Sequence, residues 1–140
     1  MIWKKEGFFV SDEQNLLQLD KIAGWIGNQY WAKDRPVHVI EESVRNSLSF
    51  GLYDSSGTQL GFARVITDRA VFSWLMDVVI DDSARGEGLG KWLVQCVLDH
   101  PDTINTKFGL ATKDAHGLYR QFGFETDECM RRPVMGIPLG

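Results

Sequence analysis

Val78-Val79-Ile80-Asp81-Asp82-Ser83-Ala84-Arg85-Gly86-Glu87-Gly88-Leu89-Gly90 is the stretch on which the fold turns. Three β-branched residues favour a strand. Asp81 to Ser83 is turn chemistry, and Gly86, Gly88 and Gly90 let the backbone take positive φ or approach a ligand closely. Leu89, Trp92, Leu93, Cys96 and Val97 then recur at helical spacing until Pro101. Strand, glycine-rich turn and helix start together make an anion cradle, because free N–H groups and the helix dipole converge at one point.

Two phosphate-binding patterns are excluded by spacing. A triphosphatase loop ending at Gly90-Lys91 needs a glycine where Arg85 stands and a hydroxyl where Trp92 stands. A dinucleotide fingerprint starting at Gly86 needs a glycine where Lys91 stands. What remains is Arg-x-x-Gly-x-Gly, at Arg85, Gly88 and Gly90.

Upstream, Leu60–Thr67 and Phe72–Ile80 read as a long antiparallel hairpin turning at Asp68-Arg69, with Phe50–Tyr53 before it. Phe8–Val10 reads as the first strand. Ser11 and Gln14 have capping-box spacing and introduce a helix burying Leu16, Leu19, Ile22, Ala23 and Ile26. Pro36 opens a second helix striped by Val37, Ile40, Val44 and Leu48. Downstream, Phe108–Thr112 is a strand, Ala115–Phe122 a short helix closed by Gly123, and Phe124 to Gly140 is expected to add one or two strands. The order β-α-α-β-β-β-α-β-α-β describes an α/β (α+β) mixed sheet with helices on both faces.

The chain has 140 residues, enough for one ordinary domain, taken as residues 1–140. Hydrophobic residues at 44% and charged residues at 24% place it among globular chains rather than disordered ones. Net charge of −4 argues against nucleic acid, which requires a basic face. No apolar run nears the ~20 residues of a membrane span, and the first residues lack a signal-peptide pattern. The expectation is a cytoplasmic protein. Two cysteines form neither a metal set nor a disulfide framework, and no histidine has a second ligand at metal spacing.

A second motif, Leu110-Ala111-Thr112-Lys113-Asp114-Ala115-His116-Gly117-Leu118-Tyr119-Arg120-Gln121-Phe122-Gly123-Phe124, stands beside the glycine loop. With it the chain resembles the GNAT family of N-acetyltransferases, most strongly over Leu75–Phe124. The resemblance implies an acyl-CoA N-acyltransferase fold: a mostly antiparallel sheet in which two central parallel strands splay apart around the cofactor arm. It implies acetyl-CoA as cosubstrate, with no metal, and an amine of a small molecule or peptide as acceptor. It leaves room for a homodimer.

The cofactor positions implied are Val78, Val79 and Ile80 on the first splayed strand, Arg85, Gly86, Glu87, Gly88, Leu89, Gly90 and Lys91 at the loop, and Asp114, His116 and Tyr119 on the second motif. Tyr119 matches the tyrosine that commonly protonates the departing thiolate; an ordinary phenol, pKa ~10, holds its proton at neutral pH. Asp77 is a candidate base for the acceptor, or the partner of an arginine. Tyr30, Trp31, Trp74 and Asp77 are the candidate acceptor-site residues. One departure stands out: many members carry an asparagine before the tyrosine helix, and this chain has Lys113-Asp114 there. A second class, a module that senses acyl-CoA without turnover, shares every motif but needs no proton donor at Tyr119.

Overall fold

The computed structural model describes residues 1–28 and 35–133. Its strands are β1 (Ile2–Lys5), β2 (Phe8–Ser11), β3 (Leu48–Asp54), β4 (Gln59–Thr67), β5 (Phe72–Ile80) and β6 (Lys107–Gly109). Its helices are α1 (Leu19–Gly27), α2 (Val37–Arg45), α3 (Leu89–Asp99) and α4 (His116–Arg120). The strands lie in one six-stranded sheet in chain order, every neighbouring pair antiparallel except β5 with β6, which are parallel.

Each face of the sheet carries its own core. Val10, Phe50, Leu52, Ala63, Val65 and Leu75 meet Leu89, Leu93, Cys96 and Val97 of α3. On the other face Phe62 and Val79 meet Ile22, Ile26, Ile40 and Val44 of α1 and α2. Of the helical stripes seen in the sequence, Ile22, Ile26, Ile40, Val44, Leu89, Leu93, Cys96 and Val97 are buried, each full burial worth about 1.5–3 kcal/mol, whereas Leu16 and Val37 are exposed and Leu48 lies on β3 instead of on the second helix. The β4–β5 hairpin is closed by the Asp68 carboxylate, which accepts from the N–H groups of Ala70, Val71 and Phe72 at 2.8–3.0 Å.

The outline expected from the sequence holds, with four corrections. A strand precedes the expected first one: Ile2–Lys5 pairs with β2, although its outer positions are exposed and its pattern is too polar to stand out. Ser11 accepts from the Glu13 N–H as expected of a cap, but Gln14 reaches Val44 O at 3.0 Å instead of turning back. The chain there makes a 3-10 turn over Gln14–Leu16, and the helix starts only at Leu19. β6 is shorter than expected, ending at Gly109. Beyond Phe124, the described residues to Pro133 contain no strand.

Candidate active site

β5 has two halves. Phe72, Ser73 and Trp74 pair with Lys107, Phe108 and Gly109 of β6. Past Trp74 that side of β5 has no strand partner among the described residues, while on the other side β4 continues along it to Ile80. The two parallel strands therefore fork. At the fork β5 bulges: Arg64 pairs with Met76 and Phe62 with Val79, so two steps along β4 oppose three along β5. Asp77 takes up the extra residue at φ 55°. Positive φ costs most residues about 1 kcal/mol or more, and aspartate tolerates it better than most. The bulge reverses the facing of the residues after it, and that is why Leu75 and Val79, both odd-numbered, are buried on opposite faces.

Two arginines hold Asp77 in that conformation. Its Oδ2 accepts from Arg64 Nε and Arg35 Nη1, both at 2.9 Å, while Oδ1 is buried without a hydrogen-bond partner among the described residues. The side chain is 1% exposed. Arg64 is itself buried, and its other donors go to Ser47 Oγ and Met76 Sδ. Asp77, expected either to serve as a base or to pair with an arginine, does pair with two.

A cavity of about 610 Å³ fills the fork, between Trp74–Val78 on one side and Leu110–Ala115 on the other. Tyr119 borders it. Burial raises the Tyr119 phenol above its ordinary pKa, so its proton is retained further into the alkaline range. Its ring packs edge-on to Phe124 at 5.8 Å. Tyr119 also borders a second cavity of about 630 Å³, outside β6, walled by Phe72, Phe108, Phe122 and Phe124. The tyrosine stands between the two.

The glycine loop lies at the far end of β5. A 3-10 turn spans Asp82–Ala84, Gly86 sits at φ 86°, and Gly88 is the left-handed residue that starts α3 at φ 73°. A side chain at Gly86 or Gly88 would meet no neighbour, so both face open space. The first N–H after the loop to find a backbone acceptor is that of Trp92, on Gly88 O. Those before it, from Gly86 to Lys91, have no backbone acceptor among the described residues, which leaves them available to an anion. Arg85 folds back, with Nε on Ile80 O and Nη2 on Asp82 at 3.1 Å. Asp81 ties the loop to α1: its carboxylate accepts from Ser83 and from Trp25 Nε1, and these bonds lower its pKa.

The structure thus gathers Asp77, Val78, Trp74, Asp114 and Tyr119 around the fork and places Arg85 to Lys91 at the loop. His116 is the exposed first residue of α4 and borders the outer cavity instead of the fork. Tyr30 and Trp31 lie outside the described residues. Arg35, Arg64 and Arg131 were not foreseen at the site. Of these only Arg64 gave a signal, a lone charge inside an otherwise apolar strand. Burial pushes the Cys96 thiol up to about 12, which removes it as a nucleophile, and no metal-binding cluster occurs among the described residues.

Known proteins share this fold. Residues 4–126 match the family model described as an acetyltransferase (GNAT) domain. A solved GNAT-family protein of Xanthomonas campestris pv. campestris is 38% identical, with a TM-score of 0.86 over 91% of this chain and 93% of that one. FG08082 of Gibberella zeae is 32% identical over 66% of this chain, which spans 63% of that protein's length. An N-acetylglutamate synthase from Neisseria gonorrhoeae, solved with coenzyme A and N-acetyl-glutamate, shares the fold at 16% identity with a TM-score of 0.71, over 89% of this chain and 30% of that one. The fold is the acyl-CoA N-acyltransferase fold, forked sheet included. The chain belongs to the GNAT acetyltransferase family.

Proposed function

We propose that the protein transfers the acetyl group of acetyl-CoA to a primary amine, by direct attack of the amine on the thioester. The observation that carries this reading is the placement of Tyr119, a half-buried phenol, at the mouth of a forked sheet whose longer strand runs straight into a glycine-rich loop. The cradle, the open strand edge and the fork cavity fit the three chemically distinct parts of the donor: phosphates, amide-bearing arm and thioester.

The donor supplies the acetyl group as an activated thioester. The chain's residues bind, orient and move protons. The N–H groups of Gly86 to Lys91 hold the phosphates, helped by the start of α3. The unpaired edge of β5 at Val78 to Ile80 holds the arm in register, as an added strand would be held. The new C–N bond forms as the C–S bond breaks, and Tyr119 Oη gives its proton to the departing sulfur. Asp77 receives the amine's proton on Oδ1, through water. Fixing both reactants supplies much of the acceleration, with effective molarities on the order of 10⁵ M in favourable cases.

Thiol release from acetyl-CoA across a broad panel of amines tests the proposal. Amine-dependent release is expected. Tight binding of acetyl-CoA with no release for any amine would favour a sensing module instead, and the retained Tyr119 argues against that outcome. No helix among the described residues is long and apolar enough to cross a membrane, which fits the cytoplasmic setting we propose for the reaction.

A further inference from the structure

The Asp77 carboxylate is held lopsidedly. A buried ion pair kept for stability alone also satisfies its remaining lone pairs. Here Arg64 Nε and Arg35 Nη1 both come to Oδ2, at 2.9 Å each, and Oδ1 is buried with no partner among the described residues. An unmet buried carboxylate oxygen is unfavourable and calls for a reason. Asp77 lines the fork cavity, so the unmet atom belongs to the wall beside which the reaction is placed.

What fixes the carboxylate in this pose is a chain of bonds that starts outside the cavity. In the last turn of α2, Ser43 O accepts from Ser47 Oγ at 2.7 Å. That bond uses the hydroxyl's one proton and leaves its lone pairs for Arg64 Nη1, at 3.0 Å. Arg64 Nη2 meets Met76 Sδ at 3.3 Å, and Nε donates to Asp77. The Arg64 side chain, 6% exposed, is thus held in three directions, and its rigid plane passes that orientation on to the carboxylate. Neither Ser47 nor Arg64 borders the fork cavity, so whatever they do there is done through Asp77.

We propose that Arg64, steadied by Ser47, is a positioning residue that sets the plane of the Asp77 carboxylate and so leaves Oδ1 to take the acceptor's proton. The inference rests on the acetyl-transfer reading. Proton transfer needs heavy atoms about 2.6–3.2 Å apart, directly or through one water, so a small rotation of the carboxylate lowers the rate of the chemical step rather than donor binding.

The test is steady-state kinetics of the whole chain with acetyl-CoA and the amine that gives most thiol release in the panel. Ser47→Ala removes one hydroxyl and leaves the Arg64–Asp77 pair in place. Its kcat should fall about three- to tenfold with KM for acetyl-CoA unchanged, and Ser47→Thr should restore it. Arg64→Lys keeps the charge but cannot reach Asp77, Ser47 and Met76 together, and kcat should fall about tenfold or more. Asparagine tolerates the positive φ of position 77, so Asp77→Asn should fold and lose more kcat than either. Placed on Asp77→Asn, Ser47→Ala and Arg64→Lys should cost little further, because both act through that one carboxylate.

Equal losses from Ser47→Ala with and without Asp77→Asn would make the serine a structural support and overturn the proposal. A raised KM for acetyl-CoA with kcat intact would overturn it too. Undiminished kcat in Asp77→Asn would do the same while leaving the transferase reading standing. Should Arg64→Lys fail to fold, Ser47→Ala carries the comparison alone. No amine-dependent release from the unaltered protein would sink the transferase reading itself, and this inference with it.

Discussion

The two halves of β5 do opposite work. Phe72 to Trp74 is hydrogen-bonded on both sides, to β4 and to β6, and its neighbours are rings and glycine. Among the described residues, Asp77 to Ile80 is paired with a strand on one side only, and it begins with a strained residue clamped by two arginines. One strand thus carries a closed half that stabilises the sheet and an open half that leaves backbone groups for a ligand. The lesson is that the site is made by stopping a pairing rather than by adding a feature. Pairing with β6 stops after Trp74, and the bulge at Asp77 follows three residues further on.

Substitutions aimed at each half should separate these roles. The largest effect is expected at the open end. Gly88→Asp puts negative charge into the anion cradle, with open space around the new side chain, so the fold should survive with a loss of about 1 kcal/mol for the positive φ. Acetyl-CoA binding should fall beyond detection in calorimetry; normal binding would mean that the loop is not the phosphate site.

The clamp comes next. Arg64→Met leaves Asp77 buried with half of its partners, and breaking a buried pair costs about 3 kcal/mol. Denaturant unfolding should register that loss, and CoA affinity should weaken as the bulge relaxes. A stable variant with full affinity would show that the clamp does not set the fork.

Tyr119→Phe keeps the ring and its contact with Phe124 and removes one hydroxyl. CoA affinity should hold while kcat falls roughly 10²-fold. Burial raises this phenol's pKa, so the alkaline fall in kcat should come above the ordinary phenol value of ~10 and vanish in the variant. The same shift has a stability sign. The protonated phenol's contribution is full below the unfolded pKa and is lost as pH rises through the folded one. Equal rates in both proteins would leave Tyr119 a packing residue.

The closed half should answer differently. A Cβ on Gly109 would come within 2.8 Å of the Trp74 ring and 2.9 Å of Phe72, so Gly109→Ala forces the rings to move and should cost about 1–3 kcal/mol. CoA affinity should change far less than stability does; the reverse pattern would erase the distinction between the halves. The smallest effect is expected from Trp25→Phe, which removes the indole bond to Asp81 while keeping an aromatic ring. A net hydrogen bond of about 1 kcal/mol predicts a several-fold rise in KM for acetyl-CoA, with kcat little changed. An unchanged KM would show that α1 does not steady the loop.

The local devices of this protein were legible in the sequence. Gly86 and Gly88 adopt the positive φ that glycine permits, α3 buries the stripe its spacing marks, and Asp68 closes the hairpin where turn chemistry was read. Each depends on neighbours a few residues apart, and the chain's periodicity records those directly. Tyr119 was legible only by resemblance. Nothing in its own surroundings sets it apart from a core aromatic until β6 and α4 place it between two cavities.

The fork was expected from the resemblance, but where it begins and which charges surround it only the tertiary structure decided. β6 stops pairing at Gly109, and β5 inserts one residue at Asp77. The resulting register shift depends on what Arg64, thirteen positions away, and Arg35, forty-two away, do with one carboxylate. Arg131 reaches the same cavity by stacking on Trp74. A sequence states which residues can be strand, turn or helix, because those choices obey local sterics and hydrophobic period. It does not state where a pairing ends, because that is settled by burial and charge compensation between segments distant in the chain.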